Sequence, residues 1–204
     1  IEAYYVEQME ERRRAIAEQH ERIATSQSSQ SGLALKKTTL TEELSRLEAQ
    51  GGTAELAPVD VGGMLALIRR DALARPEHPD SVDLHLDSED LLLGAENELH
   101  SIFSNLVSNA VKYTPESGHV DIRWWTDPAG GHVEVRDTGA GIPAEHLPRL
   151  TERFYRVDAG RSRKMGGSGL GLAIVKHALQ RHGGRLDVQS VEGQGSAFAC
   201  HFPP

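Results

Sequence analysis

Cysteine is nearly absent: Cys200 is the only one in 204 residues, which excludes an internal disulfide and a cysteine-ligated zinc site and points to a reducing compartment. Long apolar runs are missing too. No stretch of 18 apolar residues occurs, so this sequence holds no membrane-spanning helix, and Ile1 with its charged followers does not read as a secretory signal. Basic residues are in deficit, 22 Lys plus Arg against 30 Asp plus Glu, for a formal charge of −8. That balance argues against a general nucleic-acid binder, because neutralising a phosphate backbone needs surplus Lys and Arg. Any polyanion bound here is held by local groups. Aromatic residues make up only 5%, yet 38% of the chain is hydrophobic, enough for a real core. The missing initiator Met suggests a fragment, with a membrane part expected upstream.

Proline is absent from residues 1–50 and glycine occurs there once, as Gly32. The same stretch is dense in Glu, Arg, Gln and Ala, which favour helix. Val6, Met9, Ile16 and Ile23 fall on a and d positions of a seven-residue register, with Arg13 and His20 at the other a positions. Turn formers from Thr25 to Gly32 interrupt that seam, and apolar spacing resumes at Leu33, Leu40, Leu44 and Leu47. An α-helical hairpin or coiled-coil segment over 1–52, ended by Gly51-Gly52, followed by a second domain over 53–204, is the expected organisation.

In the second domain, Val61, Met64, Leu65, Leu67 and Ile68 spell a short amphipathic helix within 58–74. Residues 81–93 alternate as two short strands around Asp87-Ser88. Leu99, Ile102, Phe103, Leu106 and Ala110 make an apolar stripe on a helix over 96–113, stopped by Pro115 and Gly118. Residues 120–126 and 133–137 alternate around a turn and predict a hairpin. A Gly-rich connection over 138–168 with one short helix near 145–150 precedes a helix over 170–182 and closing strands over 185–190 and 196–202. This order implies an α/β two-layer sandwich, a mixed sheet with helices on one face.

Three clusters carry chemistry. Asn105, Asn109 and Lys112 share one helix stripe. That stripe reads either as a solvated face or, because amide oxygen is a hard ligand and Lys meets phosphate, as a Mg²⁺ and phosphate site. Asp137-Thr-Gly-Ala-Gly-Ile142 follows a strand whose alternation puts Asp137 on the buried side with Val133 and Val135. It is either a capped turn or a carboxylate awaiting a donor such as a purine amine, with Gly139 and Gly141 allowing close approach. Gly166-Gly-Ser-Gly-Leu-Gly-Leu172 runs into a helix, as a flexible hinge or an anion site. It closes with no Lys-Ser or Lys-Thr and follows no strand, so it is neither a P-loop nor a dinucleotide fingerprint.

In fixed order, Asn105-x-x-x-Asn109-Ala-x-Lys112-Tyr113, Asp137-x-Gly-x-Gly141, Phe154 and Gly167-x-Gly-Leu-Gly171 resemble the N, G1, F and G2 boxes of the ATP-binding domain of sensor histidine kinases. The stretch from Arg149 to Asp158, with Gly166 to His177, looks closest to the phosphate-regulon branch of that family. Ser45-Arg-Leu-Glu48 resembles the end of the second dimerisation helix. The resemblance implies that Asn109 binds Mg²⁺ and, with Asn105, serves the triphosphate of ATP. It places Lys112 on phosphate, Tyr113 against the adenine, and Asp137 as acceptor from the adenine amine. Gly139, Gly141 and Ile142 then frame the ring, Phe154 and Arg156 open a lid, and Gly167, Ser168, Gly169, Leu170 and Gly171 form its phosphate-proximal end. Arg161, Arg163 and Lys164 lie in that lid, as solvated loop residues or phosphate contacts. Related chaperone, gyrase and mismatch-repair ATPases carry a Glu where this chain has Asn105. An amide is no general base, so phosphoryl transfer is favoured over ATP hydrolysis. The resemblance further implies a homodimer formed by the helical segment, a response regulator receiver domain as partner, no nucleic acid, and the cytoplasmic end of an inner-membrane-anchored bacterial sensor.

One family feature is missing. No His-Glu-x-x-x-Pro box occurs; the only His-Glu pair in the helical half is His20-Glu21. His20 as phosphoacceptor with Glu21 as base would serve chemically, although His20 falls on the coiled-coil seam and equally reads as an ordinary helix residue. Residues left out near 25–35 are the favoured explanation. The other histidines, His100, His119, His132, His146, His177 and His182, read as residues of helix faces and turns, none paired at metal spacing with another plausible ligand. Trp124-Trp125 is expected to bury one ring and expose the other.

Overall fold

The structure, a computed structural model, describes residues 38, 39, 41, 55–157 and 168–204. Thr38, Thr39 and Thr41 are helical; the other expectations for the helical half, His20 and Glu21 included, lie outside the described residues, as do Gly167, Arg161, Arg163 and Lys164. The elements below belong to the unit Leu40–Pro204.

The order is β1 (Ala57–Val59), α1 (Val61–Leu73), β2 (Ser81–Leu86), β3 (Leu92–Gly94), α2 (Glu96–Tyr113), β4 (His119–Asp127) and β5 (Gly130–Asp137). A 3₁₀ turn (Ala144–Arg149), α3 (Gly171–Arg181), β6 (Arg185–Val191) and β7 (Gly195–Phe202) follow. Five strands form a mixed sheet in the order β2-β4-β5-β7-β6, in which β2 runs parallel to β4 and every other pair is antiparallel. The two strands expected over 81–93 exist but do not pair with each other: β2 joins β4, and β3 forms a separate two-stranded sheet with β1. Alternation fixes which residues share a face, not which strand lies alongside. The crossover through α2 is what a parallel β2–β4 pair requires.

Along β4 and β5, Val120, Ile122, Trp124, Val133 and Val135 turn to one face and are wholly buried. The three helices cover that face. Leu99, Ile102, Phe103 and Leu106 of α2 are at most 1% exposed, and Phe103 meets Phe202 edge-on at 6.1 Å. Trp124 is core and Trp125 faces outward beneath Arg123, whose guanidinium lies 5.2 Å from the ring centre. Among the described residues no helix is long and apolar enough to cross a membrane.

Helix starts are set by local chemistry. Asp60 caps α1 by accepting from the Gly63 N–H at 2.9 Å. α2 has no side-chain cap of its own; the Ala95 N–H donates to His182 Nε2 at 3.0 Å, while His182 Nδ1 lies 2.7 Å from the Ala178 carbonyl. An acceptor Nε2 leaves Nδ1 as the donor, so His182 is a neutral ring that ties α2 to the end of α3. Beside it, Arg181 Nε donates to Glu98 Oε1 at 2.9 Å in a mostly buried pair. These contacts fix the distance between the two helices that carry the site.

Candidate nucleotide site

The three clusters singled out in the sequence come together at one end of the helical layer. Asn105 and Asn109 sit one turn apart on α2, both half-buried beside the core residue Leu106. Asn105 Nδ2 donates to the Ser101 carbonyl at 2.8 Å, which aims its Oδ1 at the first turn of α3. A Cβ on Gly171 would lie 2.7 Å from that oxygen. A larger residue there would displace the Asn105 amide, so glycine lets the N-terminus of α3 lie close to the asparagine stripe.

Lys112 and Tyr113 end the same helix, with Lys112 Nζ 4.9 Å from the centre of the Tyr113 ring. Burial, then the nearby Arg156 guanidinium, lowers the Lys112 pKa; burial raises that of Tyr113, which Arg156 partly offsets. Two cations therefore share one partly desolvated place. Arg156 Nη2 is buried and has no hydrogen-bond partner, a costly state for a guanidinium. An anionic group bound beside Lys112 would supply the missing acceptor, so the residues present fit a triphosphate.

Asp137 ends β5 on the buried side and is 6% exposed. Its Oδ1 accepts from the Gly139 N–H at 2.8 Å, and the Ser196 N–H donates to the carboxylate as well. Burial still raises its pKa, outweighing those donors. Any Cβ on Gly139 would strike the Tyr113 carbonyl, so the loop lies directly against the end of α2. Gly141 has φ +65° with the Val191 carbonyl where a Cβ would go, and the Ile142 N–H donates to Ser190 Oγ at 2.8 Å. The loop is pinned to the turn between β6 and β7. Ser190 and Ser196 were not singled out by sequence reasoning; the Gly193-Gln-Gly195 turn between them was the available signal.

Phe154 adopts φ +62°, unusual for a residue with a Cβ, and its ring is about half exposed. Its N–H donates to the Gly169 carbonyl at 2.8 Å, and Gly169, at φ +72°, leaves no Cβ to collide with the Phe154 backbone. The Leu170 N–H donates to Ser168 Oγ at 3.2 Å, and Leu170 is fully buried at the start of α3. The F and G2 clusters are thus bonded to each other, and through Gly171 to Asn105.

One sequence expectation is corrected. His119 does pair with potential ligands: its Nε2 lies 2.9 Å from Asp121 Oδ2 and its Nδ1 3.6 Å from Asp83 Oδ2. The parallel register sets Asp83 against Asp121, a proximity that spacing along the chain does not reveal.

Comparison with known proteins agrees with this geometry. Residues 94–204 match the family of histidine kinase-, DNA gyrase B- and HSP90-like ATPases. The chain is 54% identical over 164 residues to the phosphate regulon sensor protein PhoR of Pseudomonas aeruginosa, covering 79% of this chain and 37% of that protein. Against the sensor histidine kinase WalK of Bacillus subtilis it is 36% identical, covering 69% of this chain and 23% of the relative. The chain thus spans well under half the length of these curated relatives. Among solved structures, full-length ShkA in complex with AMPPNP superposes with a TM-score of 0.72 at 30% identity, covering 85% of this chain and 36% of that one. The mycobacterial sensor histidine kinase MprB gives 0.64 at 31%, covering 72% and 97%. On the motifs, the fold and these matches, the chain belongs to the histidine kinase-, DNA gyrase B- and HSP90-like ATPase family, among whose members its curated relatives are sensor histidine kinases.

Proposed function

We propose that this chain is the kinase end of a two-component sensor: residues 53–204 bind Mg-ATP, and a histidine of a helical dimerisation segment that includes residues 1–52 is phosphorylated and passes the group to an aspartate of a response regulator receiver domain. The buried Arg156 Nη2, which has no hydrogen-bond partner and lies near Lys112, carries the reading. Asp137 accepts from the adenine amine, Gly139, Gly141 and Ile142 frame the ring, and Tyr113 lies against it. Asn109 would hold Mg²⁺ through its amide oxygen, a hard ligand suited to that ion. Mg²⁺, when bound, neutralises charge on the transferring phosphoryl group. Lys112, Arg156 and the first N–H groups of α3 orient the phosphates, and Asn105 supplies an amide where a hydrolytic relative needs a base. With no carboxylate or imidazole among Asn105, Asn109, Lys112 and Arg156, the acceptor is activated by its own surroundings, Glu21 if the acceptor is His20.

The identity to a phosphate regulon sensor supports phosphate-starvation signalling, as the cytoplasmic portion of an inner-membrane-anchored homodimer. Incubation with γ-labelled ATP tests the chemistry: acid-labile, base-stable label on the protein is expected. A second reading, a serine kinase or a non-catalytic ATP-binding regulator, is favoured by the missing His-Glu-x-x-x-Pro box. Acid-stable label, or ATP binding without label in a chain that carries its natural upstream sequence, would establish it instead.

A further inference from the structure

The 3₁₀ turn that precedes Phe154 builds a clamp around the next residue, Tyr155. Three residues per turn eclipse the side chains at i and i+3. One edge of the turn Ala144–Arg149 therefore carries Leu147, with Leu150 just beyond it, and both pack on the core. The adjacent edge carries His146 and Arg149, and both reach Tyr155. His146 Nδ1 lies 2.6 Å from the Tyr155 hydroxyl, and the Arg149 guanidinium lies over the Tyr155 ring, 4.2 Å from its centre. Glu152 steadies that guanidinium, its Oε2 accepting from Arg149 Nη2 at 3.0 Å and from Nε at 3.2 Å. The bond between His146 and Tyr155 holds with the hydrogen on either side, because a hydroxyl donates to a bare Nδ1 and accepts from a protonated one.

Tyr155 stands between two residues of the nucleotide site. Phe154, at φ +62°, is tied by its N–H to the Gly169 carbonyl, and Arg156 Nη2 is buried with no hydrogen-bond partner. A guanidinium gains by turning out to water, so one that stays buried and unpaired is held there by its surroundings. The bond from Phe154 fixes the chain on one side of Tyr155 and leaves it a pivot; the clamp on the Tyr155 side chain is a second anchor, immediately before Arg156. We propose that His146 is a positioning residue for nucleotide binding: by fixing the Tyr155 hydroxyl it holds the adjacent Arg156 in place to receive the triphosphate. The inference rests on the assignment of Arg156 to the phosphates. Its physical effect is preorganisation. An arginine side chain loses rotamer freedom when it is ordered, and where the fold has already ordered it that cost is not charged against ligand binding. The benefit therefore falls on the phosphates and not on the adenosine part of the nucleotide.

The test is calorimetric titration of the full chain with ATP and, separately, with adenosine. His146→Ala should weaken ATP binding roughly three- to tenfold, the range that one neutral hydrogen bond supports, and leave adenosine affinity at the wild-type value. His146→Asn, whose amide can take the place of Nδ1, should recover most of the loss. Tyr155→Phe should reproduce the effect of His146→Ala, and the double variant should lose no more than either single one. A role confined to holding the fold together would weaken ATP and adenosine alike. The proposal is overturned if His146→Ala binds ATP like wild type, if adenosine affinity falls in step with that of ATP, or if the two single losses add in the double variant. Each of those results leaves wild-type ATP binding, and so the nucleotide reading, intact. Wild-type protein that binds no ATP overturns both.

Discussion

Replacing Asp137 with Asn separates ligand recognition from folding, because the two effects have opposite signs. In the wild type the carboxylate is 6% exposed and accepts from the Gly139 and Ser196 N–H groups. An Asn can keep those donors on its Oδ1, but it then presents an NH₂ group where the adenine amine must donate. The lost interaction is a hydrogen bond to a charged acceptor, worth about 1.5–3 kcal/mol. At about 1.4 kcal/mol per tenfold, ATP affinity should fall roughly 10- to 150-fold, and preference for ATP over GTP should shrink, since guanine offers a carbonyl at that position. Stability should move the other way. The folded carboxyl titrates above its ordinary range because burial disfavours the charge. Its contribution to stability is therefore present at acid pH and lost as pH rises through the folded pKa. At pH 8 the wild type holds a desolvated anion and the variant does not, so Asp137→Asn should unfold at a temperature no lower than wild type. Calorimetric titration with ATP and GTP and thermal unfolding at pH 5 and pH 8 read both effects. Wild-type ATP affinity in the variant, or a clear drop in its unfolding temperature at pH 8, would refute the assignment.

Three further outcomes are expected. Asn109→Ala should abolish labelling from γ-labelled ATP and make residual nucleotide affinity insensitive to Mg²⁺; a Mg²⁺ dependence equal to wild type counts against the metal role. Arg156→Ala removes a guanidinium near Lys112 whose buried Nη2 has no hydrogen-bond partner, so triphosphate affinity should drop tenfold or more while adenosine affinity holds, a contrast that competition binding can measure. Glu98→Gln removes the carboxylate charge to which Arg181 Nε donates at 2.9 Å in a mostly buried pair, so thermal unfolding should show a lower midpoint than wild type, and an unchanged midpoint would count against a stabilising role for the pair.

The hairpin of β4 and β5 was legible because alternation on both sides of Asp127 is unbroken, and continued pairing merely shortens its loop to Pro128-Ala129. The apolar stripe of α2 was equally plain, since Leu99, Ile102, Phe103 and Leu106 recur at helical spacing and are buried. Partners were not legible. β2 and β3 were found, yet their separate pairings depend on a crossover that leaves no local trace. The same limit hid the close approach of His119 to Asp83, and that of His132 to His201, 69 residues apart. Within the nucleotide site, residue types and order identified the participants, but the orphaned Arg156 atom and the fit of Gly171 against Asn105 arise only when α2 and α3 are packed.

The hydrogen bond between Phe154 and Gly169 has a consequence for how this region can vary. By joining the chain on either side of residues 158–167, it makes the span between the joints a length of chain anchored at both ends. The positions of Asn105, Leu170 and the start of α3 therefore depend on that joint and on the packing of Gly171 against Asn105. A change at the joint itself, such as a side chain on Gly169, would be felt throughout.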